Sequence, residues 1–339
     1  MIEMNPSFVI VADPLARTKG GIENHADILM NLLRIHGYEV SFHNYKKFKN
    51  KDLKKSDVLI VEGIHRFNLL KILFLRSKGA KILFTHGSFY LWADERRYLW
   101  KIGGERYLLF KRTFDKIIMR KILMHFDLIV TLSSKETKDI SDFFRIRSNN
   151  FVELEVFSDE PLLNSDQCNT TESFRYNFLC FIGRLDKRKN LIELLMAAHK
   201  LNMNLVVAGQ DHGTLDELND YCIKNNFTKF QYLGVIDNAT KFSLIRSSSL
   251  VVIPSFFEGM PLLAVEALKM GKSTVLTKNS YMAPHPCIEL TDYDSDSLVR
   301  AIRHKLDSNS CNLGFISNEE CFEKFLSSLP SNVNRLGIH

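Results

Sequence analysis

Short apolar runs separated by amphipathic stretches recur along the whole chain. In the first half they fall at Phe8 to Ala12, Glu39 to His43, Val58 to Val61, Lys81 to Thr85 and Leu128 to Leu132. In the second half they begin near Phe178, Asn204, Phe230, Leu250 and Ser273. Continuous apolar runs, rather than strict alternation, are what strands covered on both faces look like. The stretches between them carry helical periodicity, Ala26 to His36 among them, at the spacing of crossover units. The chain therefore predicts an α/β fold built on mainly parallel sheets. Between Phe157 and Phe174 the pattern breaks into polar, turn-rich sequence, Ser158-Asp159-Glu160-Pro161 and then Asn164-Ser165-Asp166-Gln167-Cys168-Asn169, which marks an interdomain linker. We place the domains at 1–157 and 158–308, followed by a segment 309–339 in which Asn318 to Ser328 reads as a final helix.

Composition fits this picture. With 339 residues, 45% of them hydrophobic, the chain can build two α/β domains with a core each. No apolar run reaches the ~18 residues of a membrane helix, and the N-terminus lacks the succession of a secretory leader. The six cysteines (Cys168, Cys180, Cys222, Cys287, Cys311, Cys321) are scattered, without a Cys-x-x-Cys pair. That argues against zinc and against a disulfide scaffold, and for a reducing, cytoplasmic setting. The net charge of +6 would suit nucleic acid, but no nucleic-acid module accompanies it.

The most informative chemistry lies in Ser255-Phe256-Phe257-Glu258-Gly259-Met260-Pro261-Leu262-Leu263-Ala264-Val265-Glu266-Ala267. A strand ending at Pro254 leads into a helix that Pro261 opens at its first position and Gly271 closes after Met270. Glu258 then sits on the turn and Glu266 inside the helix. The free amides of the first turn, from Met260 to Leu262, together with the helix dipole, favour a diphosphate. An ionised carboxylate only accepts hydrogen bonds, so two glutamates can each hold a diol. Two glutamates that merely complement a helix end are the plainer alternative.

Three further motifs precede this segment in order. They are Phe181-Ile182-Gly183-Arg184-Leu185-Asp186-Lys187-Arg188-Lys189-Asn190, Leu205-Val206-Val207-Ala208-Gly209 and Tyr232-Leu233-Gly234-Val235. In this order the four resemble the retaining glycosyltransferases of family 4, densest between Phe178 and Thr277. The resemblance implies the GT-B fold: two Rossmann-like domains facing across a cleft, with the last helix crossing back to the first. It implies no cofactor and no metal at the diphosphate, with a UDP- or GDP-sugar as co-substrate. Carried over by position, Glu258 orients the donor sugar and Glu266 accepts from the ribose. Arg184 and Lys189 neutralise the departing diphosphate, as cationic groups must where negative charge grows. Gly259, Met260, Pro261, Leu262 and Val235 complete the donor-binding set. Retention is attributed in this family to front-face attack assisted by the leaving phosphate. The alternative for Lys187, Arg188 and Lys189 is a solvated basic loop.

In the first domain, Lys19-Gly20-Gly21-Ile22-Glu23-Asn24-His25 follows the first strand, and Gly20 and Gly21 allow close backbone approach to a phosphate. A tight turn would read the same way. His86, in Phe84-Thr85-His86-Gly87-Ser88, ends a strand, where crevice residues of open α/β sheets sit. The resemblance makes it a catalytic candidate. Ser133 and Ser134 match a family serine or cap the next helix. The turn at Glu155-Val156-Phe157-Ser158-Asp159 departs from the family's pattern, so its contacts do not transfer.

Leu91 to Phe126 is rich in aromatics and cations, with a second basic cluster at Lys46 to Lys55. Such a region suits an anionic membrane and a lipid-diphosphate-linked glycan acceptor, or else a helix with buried aromatics and a solvated basic face. Sequence reading thus leads to a glycosyltransferase moving a hexose onto a glycan, as in bacterial surface polysaccharide (O-antigen, capsule or exopolysaccharide) synthesis. A catalytically silent binding or assembly subunit, or a nucleotide-sugar epimerase, would share the architecture.

Overall fold

The computed structural model describes residues 7–12, 21–44, 48, 58–63, 79–86, 117–146, 150–159, 177–308 and 317–330. The chain folds into two compact units. The first comprises Met1–Asp159, Tyr281–Ala283 and Ser317–His339; the second comprises Glu160–Ser280 and Pro284–Ile316.

The first unit contains strands β1 (Phe8–Ala12), β2 (Val40–Asn44), β3 (Val58–Glu62), β4 (Lys81–Phe84), β5 (Leu128–Thr131) and β6 (Phe151–Glu153). They form one parallel sheet in the order β2-β1-β3-β4-β5-β6. Strands β1, β3 and β5 are buried along their whole length, which is why they read as unbroken apolar runs. Helix α1 (Gly21–Ile35) follows β1, and α2 (Ser134–Phe144) follows β5. Helix α1 starts five residues before the expected Ala26, so Gly21 is its first residue rather than part of a loop. Ser133 is the N-cap of α2, its hydroxyl accepting from the Glu136 amide at 3.4 Å. That is the capping role.

The second unit contains β7 (Phe178–Ile182), β8 (Asn204–Ala208), β9 (Phe230–Tyr232), β10 (Leu250–Ile253), β11 (Thr274–Thr277) and β12 (Ile288–Thr291). Between them run α3 (Leu191–Lys200), α4 (Leu215–Lys224), α5 (Asn238–Ser247) and α6 (Leu262–Lys269), followed by α7 (Ser295–Asp307). The sheet order, β12-β11-β10-β7-β8-β9, places the first strand between the second and the fourth. Strand order thus reverses beside β7, and in open α/β sheets ligands sit outside the carboxyl ends of the strands at such a point, here β7 and β10.

Helix α8 (Asn318–Ser327) belongs to the first unit, carries a complete capping box at Ser317 and Glu320, and buries Cys321, Phe322 and Phe325. Asn318 donates to the Ser158 carbonyl at 2.7 Å and accepts from its amide at 3.2 Å. Among the described cysteines, Cys180, Cys222 and Cys321 are free, whereas Cys287 is disulfide-bonded, a bridge the sequence reading does not anticipate.

Candidate functional site

The loops after β7 and β10 meet at the strand-order reversal of the second unit. After β7 the chain makes a short 3-10 turn, Lys187–Lys189, capped by the Asp186 carboxylate on the Arg188 amide. Asn190 then adopts a left-handed backbone, φ 54°, and its side-chain amide donates to the carbonyls of Pro254 at 3.2 Å and Tyr293 at 2.9 Å. That ties the β7 loop to the end of β10. A second tie comes from the Phe256 amide, which donates to the Arg188 carbonyl at 2.9 Å. On its other side the Glu258 amide donates to the Asn279 carbonyl, also at 2.9 Å. The segment Ser255 to Glu258 is therefore held by backbone bonds on both flanks.

These ties bring Lys189 and Glu258 together: Lys189 Nζ donates to Glu258 Oε1. The Ser255 hydroxyl donates to the same oxygen at 2.6 Å. Burial pushes the Glu258 carboxyl up, but the Lys189 charge and hydrogen bond, the Ser255 hydroxyl and the more distant Arg188 charge outweigh it and hold the group below its ordinary value. Both side chains keep 14% of their surface, so the pair is not sealed in the core. Arg184 is exposed on the same loop and has no partner among the described residues. An ammonium and an unpaired guanidinium on one loop are what a diphosphate requires.

Helix α6 begins at Leu262, with Pro261 as its N-cap in extended backbone, φ −69° and ψ 119°. Pro261 therefore stands one place before the first helical position assigned to it, and it has no N–H to offer. Ala264 and Val265 donate to the Pro261 carbonyl, which leaves the Leu262 and Leu263 amides as those without an intrahelical acceptor. The expected amide set, Met260 to Leu262, thus moves toward the helix. Gly271 closes the helix end with φ 67°, as expected. Glu266 is 3% exposed, and Lys241 of α5 donates to its Oε1 at 2.7 Å. Lys241 belongs to no motif and is missed by sequence reading. Gly259 is half-buried, and Val235, 76% exposed, follows Gly234, whose carbonyl accepts from the Gly209 amide at 2.7 Å.

In the first unit His86 has a left-handed backbone, φ 51°, and its Nε2 donates to Glu62 Oε2. Glu62 ends β3, one residue past the expected strand. His25 of α1 packs its ring against those of His86, Phe84 and Phe157, with centroids at 4.4, 5.1 and 4.9 Å. Its Nδ1 lies 3.3 Å from Glu62 Oε2, an ion-pair distance without hydrogen-bond alignment, and its Nε2 has no hydrogen-bond partner among the described residues. The ligand atoms of His25, Glu62 and His86 lie within 4.8 Å of one another, a donor set that fits a divalent transition metal by type. The direct His86–Glu62 hydrogen bond already satisfies the two atoms that a cation would have to separate.

Burial pushes the Glu62 carboxyl up, yet the charges of His25 and His86 and the His86 hydrogen bond prevail and hold it at about 2, against an ordinary 4.5. Burial holds His25 below its ordinary 6.5. Both native values lie under their unfolded ones, so both groups lose stabilisation as pH falls. His25 acts below pH 6.5, and Glu62 between about pH 4.5 and 2. Thermal denaturation of Glu62→Gln between pH 7 and 3 should lack the acid loss that wild type shows below pH 4.5, on the order of a few kcal/mol. Parallel wild-type and variant curves would contradict this placement of the charge.

Gly20, Gly87, the Lys46 to Lys55 cluster (Phe48 apart) and most of Leu91 to Phe126 lie outside the described residues. Of the last, residues 117–123 are helical: Met119, Ile122, Leu123 and Phe126 are in the core, with Arg120 and Lys121 exposed. Among the described residues, no helix is long and apolar enough to cross a membrane.

Residues 169–310 match the model of the family described as glycosyl transferases group 1. Over 115 residues, 32% of this chain and 31% of that protein, the sequence is 33% identical to a Campylobacter jejuni enzyme. Its name is GalNAc-alpha-(1->4)-GalNAc-alpha-(1->3)-diNAcBac-PP-undecaprenol alpha-1,4-N-acetyl-D-galactosaminyltransferase. Over 104 residues, 29% of this chain and 26% of that protein, it is 33% identical to an uncharacterized glycosyltransferase of Methanocaldococcus jannaschii. The chain thus spans about a third or less of the length of these curated relatives. Solved structures match over nearly all of it. Sucrose-phosphate synthase from Thermosynechococcus elongatus has a TM-score of 0.70 at 13% identity, over 97% of this chain and 94% of that one. Anabaena HepE in complex with UDP has a TM-score of 0.64 at 13% identity, over 97% and 95%. The lipopolysaccharide outer core galactosyltransferase WaaB has 0.63 at 12%, over 95% and 98%. At such identities the likeness shows the fold alone.

Proposed function

We propose, from the match of residues 169–310 to the glycosyl transferases group 1 model and from the GT-B-like fold, that the chain transfers a hexose or related sugar from a UDP- or GDP-sugar to a glycan acceptor. Transfer retains the anomeric configuration and needs no metal at the diphosphate. The observation that carries this reading is the Lys189–Glu258 contact, which joins the two motif loops at the strand-order reversal. Lys189 has three donors and can keep Glu258 while taking a phosphate oxygen. Arg184 brings a second charge, so the diphosphate leaves into a positive environment as the sugar becomes oxocarbenium-like. The sugar's hydroxyls donate to Glu258, and the ribose hydroxyls donate to Glu266. The acceptor oxygen attacks from the face the diphosphate leaves, and its proton passes to the leaving phosphate oxygen.

Lipid-diphosphate-linked glycan is the acceptor class we favour, in surface polysaccharide synthesis at the cytoplasmic face of a membrane. The name of the Campylobacter relative, with its undecaprenol-linked acceptor, supports that choice. Flotation with anionic liposomes tests the membrane contact, and flotation indifferent to lipid charge would defeat it. For the reaction, a panel of UDP- and GDP-sugars screened by thermal shift should give one donor that raises Tm. That donor should be turned over in excess chelator to a product that NMR shows with the donor's anomeric configuration. Inversion, or no stabilising donor, would overturn the proposal.

A further inference from the structure

We infer that Lys241, acting through Glu266, is the positioning residue that makes the site select a ribonucleotide; this deepens the proposed reading of the crevice as a nucleoside diphosphate site. Glu266 lies inside α6 and is 3% exposed, yet its proposed task is to accept hydrogen bonds from hydroxyls. An ionised carboxylate at such depth needs a counter-charge and a fixed direction. Lys241 supplies both from the neighbouring helix, with Nζ 2.7 Å from Oε1. Its own side chain is 15% exposed. It rises from α5, whose start is fixed by the Asp237 carboxylate on the Thr240 amide at 2.8 Å, and its ammonium lies 4.7 Å from the Phe242 ring centroid.

A carboxylate has about four lone-pair sites, so anchoring one oxygen orients the group without exhausting it. The same device recurs beside it, where Lys189 grips Oε1 of Glu258. Buried ion pairs of this kind are seldom superior to apolar packing as sources of stability. What apolar packing cannot reproduce is a carboxylate held in one plane, ready for the two donors of a ribose diol. Lys241 thereby acts through the ribose rather than on the diphosphate that Arg184 and Lys189 hold.

The test uses the full chain and isothermal titration with UDP, GDP, ADP and CDP. Whichever binds is compared with its 2′-deoxy and 3′-deoxy forms. Wild type should prefer the ribonucleotide by about tenfold, worth about 1.4 kcal/mol. Lys241→Ala should weaken the ribonucleotide by a similar factor while leaving the deoxy forms within about twofold, so that the preference collapses. Lys241→Arg should restore most of it. Because Lys241→Ala removes a charge partner from a buried carboxylate, the double variant Lys241→Met/Glu266→Met keeps the site filled with apolar atoms and should show the same collapse. Retention of the full preference in Lys241→Ala, or a parallel fall for ribo and deoxy ligands, would overturn the inference. Failure of wild type to bind any of the four would instead remove the nucleotide reading beneath it.

Discussion

Replacing Lys189 with alanine is expected to lower turnover of the stabilising donor by about 10²–10³, the usual loss when one preorganised donor to a developing anion is removed. The loss should fall on kcat rather than on KM, because the ammonium's worth grows as the bond to the diphosphate breaks. Lys189→Arg should recover only part of the rate, since its planar fork has to satisfy both Glu258 Oε1 and the phosphate from a different geometry. Arg184→Ala should cost rate without costing stability, because no described residue depends on its guanidinium. Steady-state kinetics with the donor found by thermal shift checks both, and a Lys189→Ala enzyme with unchanged kcat would remove this lysine from the mechanism.

Gly209→Ala is expected to be the most damaging single methyl in the second unit. A Cβ there would stand 1.9 Å from the Gly183 carbonyl oxygen and 2.6 Å from its carbon, both backbone atoms that cannot swing away. The backbone at Gly209 has φ 133°, which a side chain resists on its own account. Relief requires the ends of β7 and β8 to part, and with them the bond from the Gly183 amide to the Ala208 carbonyl at 2.9 Å. A cost of about 3 kcal/mol or more follows, seen as a Tm lower by roughly 6–12 °C. Because Gly183 immediately precedes Arg184, donor-induced stabilisation should fall as well. Differential scanning calorimetry with and without donor measures both; a Tm within 2 °C of wild type would mean that the close approach is not real.

The central strands were legible because parallel strands covered on both faces are apolar throughout, as β1, β3 and β10 show. Edge strands β6 and β12 were not. Phe151–Glu153 is three residues long and Ile288–Thr291 is mostly half-exposed, so neither produces an apolar run. Helix α6 starts one residue later than its sequence suggests because Pro261 suits both the first helical position and an extended cap. Arg184, Lys189, Glu258 and Glu266 stood out because each belongs to a motif of fixed order. The spacing says nothing of what each would hold. That Lys189 reaches Glu258 across 69 positions, and Lys241 reaches Glu266 across 25, is a product of sheet order and helix packing, which no local pattern encodes. Glu62 looks from the sequence like the polar end of an apolar strand, and only its burial between His25 and His86 marks it as a charged centre.

The most direct measurement is a crystal structure of the full chain with the stabilising nucleoside diphosphate bound. The diphosphate is expected within hydrogen-bond distance of Lys189 Nζ and the Arg184 guanidinium, near the Leu262 and Leu263 amides, with the ribose hydroxyls on Glu266. A nucleotide seated away from the carboxyl ends of β7 and β10, or Lys189 and Glu258 parted with neither touching it, would contradict it.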